Sequence, residues 1–172
     1  MTKDDLVGVY RQLGEDVVNA EGVTTHADNN RTSQIMYSAD GYVGVVSTRN
    51  GRARVSNSDG RGDLSAATAE ERAEAANGLV CYAGHFEVKD GIVHHHVEMA
   101  LNPNLVGHTL QRRITIDGPN LTLSSLPDAQ GNVRNIRWRR VGSDAAAQPP
   151  LLASLRRMGR HMLTEFRHDF LR

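Results

Sequence analysis

Tight-turn sequences recur along this chain at the spacing of short strands, and this constrains its fold more than any other feature. They are Ala39-Asp40-Gly41, Asn50-Gly51, Lys89-Asp90-Gly91, Asp117-Gly118-Pro119-Asn120 and Gln130-Gly131-Asn132. Asn, Asp and Gly accept the left-handed backbone that two-residue hairpin turns demand. Between them lie runs rich in β-branched and aromatic residues, which read as strands over 6–18, 32–38, 42–48, 80–89, 92–101, 108–117, 121–125 and 133–141. The pattern predicts an all-β fold, a meander of eight antiparallel strands. Such a sheet closes into a barrel because closure removes its unpaired edges.

Two segments depart from strand patterning. Thr68-Ala69-Glu70-Glu71 has capping-box spacing, alanines follow it and Gly78 offers a stop, so a short helix over 68–77 is expected where it could cover a barrel mouth. Beyond a linker at 143–149, Leu151, Leu155, Met158, Met162, Phe166 and Phe170 recur every three or four residues. This predicts an amphipathic C-terminal helix over about 150–170. The expected organisation is a barrel over 1–142, the linker, and a helical segment over 150–172. Arg156, Arg157, Arg160, Arg167 and Arg172 make that helix's polar face basic. We read it as a solvated face whose apolar stripe docks on the barrel or on a second copy of the chain, a route to a homo-oligomer.

Charge and motifs exclude several functions. Across 172 residues, 20 Lys and Arg balance 20 Asp and Glu, so no net field gathers nucleic acid or anionic lipid. Aromatics interleaved with the basic residues for base stacking are absent. No apolar run approaches the roughly 20 residues of a membrane span, and residues 1–5 open no leader-like apolar stretch. The single cysteine, Cys81, fits a reducing compartment, and the expectation is a cytoplasmic protein. Neither a phosphate-cradling glycine loop nor a nucleophile elbow occurs, and no cofactor is expected.

The hairpin from Tyr82 to Met99 is the most informative stretch. With Asp90-Gly91 as a two-residue turn, Lys89 faces Ile92 and the two faces can be sorted. One carries Ala83, His85, Glu87 and Lys89 with Ile92, His94, His96 and Glu98; the other carries Tyr82, Gly84, Phe86 and Val88 with Val93, His95, Val97 and Met99. The second is apolar and should face the interior. His94, His96 and Glu98, with His85 opposite, have the residue types of a metal site. Their face is otherwise charged, which favours a solvated exterior, so no metal is assigned.

His95 is the exception, an imidazole placed among apolar neighbours where it needs a partner or a ligand. On the next strand the alternation in Leu110-Gln111-Arg112-Arg113-Ile114-Thr115-Ile116 turns Arg112 inward, within a residue or two of His95. The same alternation turns Trp138 and Tyr10 inward. Two readings follow. In one, these residues form a satisfied polar core, with His95 bonded to a tyrosine or a carbonyl and Arg112 stacked on Tyr82 or Trp138. In the other, they line a pocket for a small, partly apolar molecule, aromatic or anionic, with Tyr10, Phe86, Val97, Met99 and Trp138 as the wall. There His95 would exchange a proton, Arg112 would stabilise negative charge and Tyr82 would assist. The pocket serves either a cofactor-independent isomerase, cyclase, dehydratase or lyase, or a non-catalytic carrier or sensor.

Leu6-Val7-Gly8-Val9-Tyr10-Arg11 is similar to the opening of lipocalin-like proteins, with Tyr10 where their first strand carries tryptophan. From Tyr82-Ala83-Gly84-His85-Phe86-Glu87-Val88 through His95-His96-Val97-Glu98 and Asn102-Pro103-Asn104-Leu105-Val106-Gly107 to Arg112-Arg113, the chain resembles the bacterial and fungal lipocalin-like domain family. The resemblance spans roughly residues 4–141. It implies an eight-stranded barrel with an internal cavity, a fold that serves carriers and enzymes alike.

Overall fold

The computed structural model describes residues 1–27, 29–56 and 63–143. The C-terminal helix expected at 150–170 and nearly all of the 143–149 linker lie outside the described residues. The strands are β1 (Gly8–Val18), β2 (Thr24–His26), β3 (Arg31–Tyr37), β4 (Tyr42–Arg49), β5 (Leu79–Lys89), β6 (Ile92–Ala100), β7 (Thr109–Asp117), β8 (Asn120–Ser125) and β9 (Val133–Arg140); one α-helix, α1 (Ala69–Asn77), precedes β5. Neighbours pair antiparallel in the order β1-β3-β4-β5-β6-β7-β8-β9, and β9 returns to β1. Eight strands therefore close a barrel, and the three-residue β2 is an addition beside the far end of β1, with Asp16 opposite His26.

The turns form where left-handed backbone is available. Asp90 and Gly91 both take positive φ, 51° and 74°, as a type I′ turn requires, and set Lys89 opposite Ile92. That register runs unbroken to Gly84 opposite Val97, with His85 opposite His96 and Phe86 opposite His95. There a β-bulge intervenes: Ala83 pairs with Met99 and Glu98 is the extra residue. Gly84 is needed at this point, since a Cβ there would overlap the carbonyl oxygen of His96. The bulge overturns one expectation. Met99 joins the outer face opposite Ala83 and is 62% exposed, so it is not part of the interior wall.

One end of the barrel is packed solid. Leu6, Tyr10, Ile35, Tyr37, Val43, Phe86, Val93, Leu121 and Trp138 belong to one buried cluster, each apolar side chain contributing about 1.5–3 kcal/mol on burial. Tyr10, 2% exposed, closes this floor. Its hydroxyl donates to the Leu6 carbonyl (3.0 Å), and the Arg140 guanidinium lies 4.8 Å over its ring while donating to the Asp5 and Val7 carbonyls. Burial raises the Tyr10 pKa, partly offset by Arg140.

The α1 helix starts as its sequence suggests, with Thr68 and Glu71 each capping the other's backbone N–H. It bridges the ends of β4 and β5, where the Arg49 amide donates to the Gly78 carbonyl. None of its residues lines the barrel interior. Among the described residues no helix is long and apolar enough to cross a membrane.

Candidate functional site

Above the packed floor the barrel is hollow. A cavity of about 630 Å3 runs from Tyr82, His95, Arg112 and Trp138 toward Arg31, Ser47 and Arg134 at the opposite ends of their strands. Ile35, Val45, Leu110, Leu123 and Ile136 supply its apolar wall.

His95 and Arg112 enter the cavity from neighbouring strands. His95 pairs with Leu110, so Arg112 stands two residues further along β7, opposite Val93, on the same inward face. His95 is only 1% exposed, and both its ring nitrogens are occupied: Nε2 meets the Tyr37 hydroxyl at 2.8 Å and Nδ1 meets the Tyr82 hydroxyl at 3.0 Å. The bond to a tyrosine expected of a buried histidine is thus made twice. Desolvation first, then the nearby Arg112 charge, pushes the His95 pKa down to about 3, so the imidazole is neutral at physiological pH. Burial pushes the Tyr82 phenol up to about 12 and the Tyr37 phenol well above its usual value, with Arg112 working in the opposite direction on both.

Arg112 donates from Nη1 to the Gln111 carbonyl at 2.7 Å. Arg31 donates to the Ser47 hydroxyl and carbonyl, at 2.8 and 2.9 Å. Arg134 is paired with Glu15 at 2.8 Å. Among the described residues no carboxylate pairs with Arg31 or Arg112. The indole nitrogen of Trp138, 4% exposed overall, is buried without a hydrogen-bond partner among the described residues.

Of the residues singled out from the sequence, His95, Arg112, Tyr82 and Trp138 come together on the cavity wall. Phe86 and Tyr10 lie in the packed floor, Val97 is buried but does not line the cavity, and Met99 is outside. Sequence reasoning missed Tyr37, Arg31, Arg134 and Glu15. Parity carried a signal for three of them. Arg31 and Tyr37 share the inward face of β3 with Ile35, and Arg134 shares that of β9 with Ile136 and Trp138. The bond between Tyr37 and His95 carried none, because it spans from β3 to β6 across the interior.

The histidines of the opposite face are on the exterior. His85 stacks on His96 with ring centroids 4.5 Å apart, and their nitrogens engage Glu98 (2.7 Å), Glu87 (3.3 Å) and Thr109 (2.9 Å). No group of three metal-ligating side chains converges there or elsewhere among the described residues.

A closed, hollow antiparallel barrel with a partly polar interior has the architecture of a small-molecule-binding β-barrel. A family model described as lipocalin-like domain matches residues 23–141, and the chain belongs to that family. No curated protein and no solved structure matches it significantly.

Proposed function

We propose that the barrel binds a small, partly apolar organic anion, with its charged group toward Arg112 and its hydrocarbon against Leu123, Ile136 and Trp138. The observation that carries this reading is the charge of the lining. In a chain with as many acidic as basic residues, the cavity draws, among the described residues, three arginines against one glutamate, and that glutamate is already paired with Arg134. A guanidinium held inside a barrel favours an anion, and it prefers a planar carboxylate to a point acceptor. The balanced chain as a whole makes this a local preference rather than long-range steering.

The reading is of a carrier or sensor rather than of an enzyme in which His95 shuttles the proton. With both nitrogens bonded and its pKa at about 3, His95 is poorly disposed to take a proton from a ligand directly. The single cysteine suits a reducing compartment, and we place the protein in the cytoplasm on that ground.

Trp138 is the chain's single tryptophan and lines the cavity, so its emission reports occupancy. Titration with 4-phenylbutanoate and its neutral analogue 4-phenylbutanamide, followed by fluorescence and calorimetry, tests the proposal. The expected result is saturable binding of the carboxylate, at least about tenfold tighter than the amide, and loss of that preference in Arg112→Met. Equal affinities, or neither heat nor emission change with both compounds, would overturn it.

A further inference from the structure

We infer that Tyr37 and His95 orient the Tyr82 hydroxyl as a donor into the cavity, so that Tyr82 and Arg112 together clasp one anionic oxygen group of the ligand, a carboxylate or an enolate-like oxygen. This deepens the reading of the barrel as an anion binder and rests on it.

A neutral imidazole carries one N–H and one bare nitrogen, so it donates to one tyrosine and accepts from the other. Among the described residues, His95 Nε2 is the one hydrogen-bond partner of the Tyr37 hydroxyl, and Tyr37 is only 3% exposed, its ring packed against those of Tyr10, Phe86 and His95. If Nε2 carried the proton, Tyr37 would accept it and its own O–H would be a buried donor with no acceptor. The economical arrangement is the reverse. Tyr37 donates to Nε2, Nδ1–H donates to the Tyr82 oxygen 3.0 Å away, and the Tyr82 proton is left uncommitted.

Tyr82 lies on the cavity wall, whereas Tyr37 does not, so the uncommitted proton is at the ligand's end of the chain. Burial keeps both phenols protonated and the imidazole neutral at physiological pH, as the chain requires. Arg112, also on the wall, can only donate. Tyr82 and Arg112 therefore present donors to the ligand. Such a pole accepts an oxyanion and disfavours an ammonium or an amide N–H, which would leave donor facing donor.

The test has two parts. Long-range 1H–15N correlation of the imidazoles at pH 7 reads the His95 tautomer in the wild-type protein: Nδ1 protonated and Nε2 bare is expected, and the Nε2–H tautomer would overturn the inference. Affinities for 4-phenylbutanoate and 4-phenylbutanamide are then compared in Tyr82→Phe and Tyr37→Phe. The anion-to-amide ratio should fall about tenfold in Tyr82→Phe. It should also fall in Tyr37→Phe, whose side chain never touches the cavity, together with a shift of His95 toward Nε2–H. A purely structural Tyr37 would leave both readings unmoved. If the wild type binds neither compound, the binding reading fails and the clasp with it. If the wild type prefers the anion but the preference survives both substitutions, the clasp alone is wrong.

Discussion

The carbonyl of His96 occupies the space where a side chain on Gly84 would begin. This close approach lies at the last regular pair before the β-bulge, and the bulge sends Met99 outward while leaving Tyr82 facing His95. Gly84→Ala should cost about 3 kcal/mol or more, because the His96 carbonyl is backbone and cannot rotate away. Chemical denaturation measures it. A cost below about 1 kcal/mol would mean that β6 shifts freely and that the bulge does not depend on Gly84.

Burial of neutral His95 links stability to pH. Its folded pKa, about 3, lies below the ordinary value of about 6.5, so the unfolded chain binds the proton more readily. The stabilisation from keeping this imidazole neutral is complete above pH 6.5 and is lost as pH falls toward 3, by about 1.4 kcal/mol per unit within that window. Between pH 7 and 5 the loss from His95 should reach about 2 kcal/mol. Urea unfolding at both values, in the wild type and in His95→Gln, isolates it. The variant should show a shallower dependence over that range, and identical slopes would contradict the assignment.

At the floor, Arg140→Ala removes the cation over Tyr10 and the donors to the Asp5 and Val7 carbonyls. A loss of about 1–2 kcal/mol is expected. Tyr10→Phe keeps the ring under the guanidinium and loses only the bond to the Leu6 carbonyl, so it should cost less, about 1 kcal/mol. Thermal denaturation of the two variants checks the order. Ligand affinity should be unchanged in Tyr10→Phe, since Tyr10 does not line the cavity.

Much of the barrel was legible in the sequence because its hairpins are local. The Asp90-Gly91 turn determined the register of β5 against β6 for six successive pairs, from Lys89–Ile92 to Gly84–Val97, and with it the inward aspect of His95. The capping box at Thr68 and Glu71 was equally readable. The two bulges were not. Glu98 and Leu13 are skipped because of how twisted strands fit together, β6 against Gly84 and β1 against β9, and alternation carries no mark of it. Strand β2 escaped notice because three polar residues held by backbone pairing leave no pattern. At the site, parity was enough for Arg112 and Trp138. The Tyr37–His95 bond joins residues 58 apart in sequence and exists only because the barrel closes.

The emission of Trp138 should be that of a buried indole, blue-shifted and poorly quenched by iodide in the free protein. Solvent-exposed emission would mean that the wall between Leu121, Leu123 and Trp138 is not packed as described.

The most direct test of the central claim is a crystal structure with 4-(4-bromophenyl)butanoate, located by the anomalous signal of bromine. The account predicts bromine inside the barrel and the carboxylate within hydrogen-bond distance of Arg112 and the Tyr82 hydroxyl. Bromine only on the outer surface, or a carboxylate turned away from Arg112 toward the barrel mouth, would contradict it.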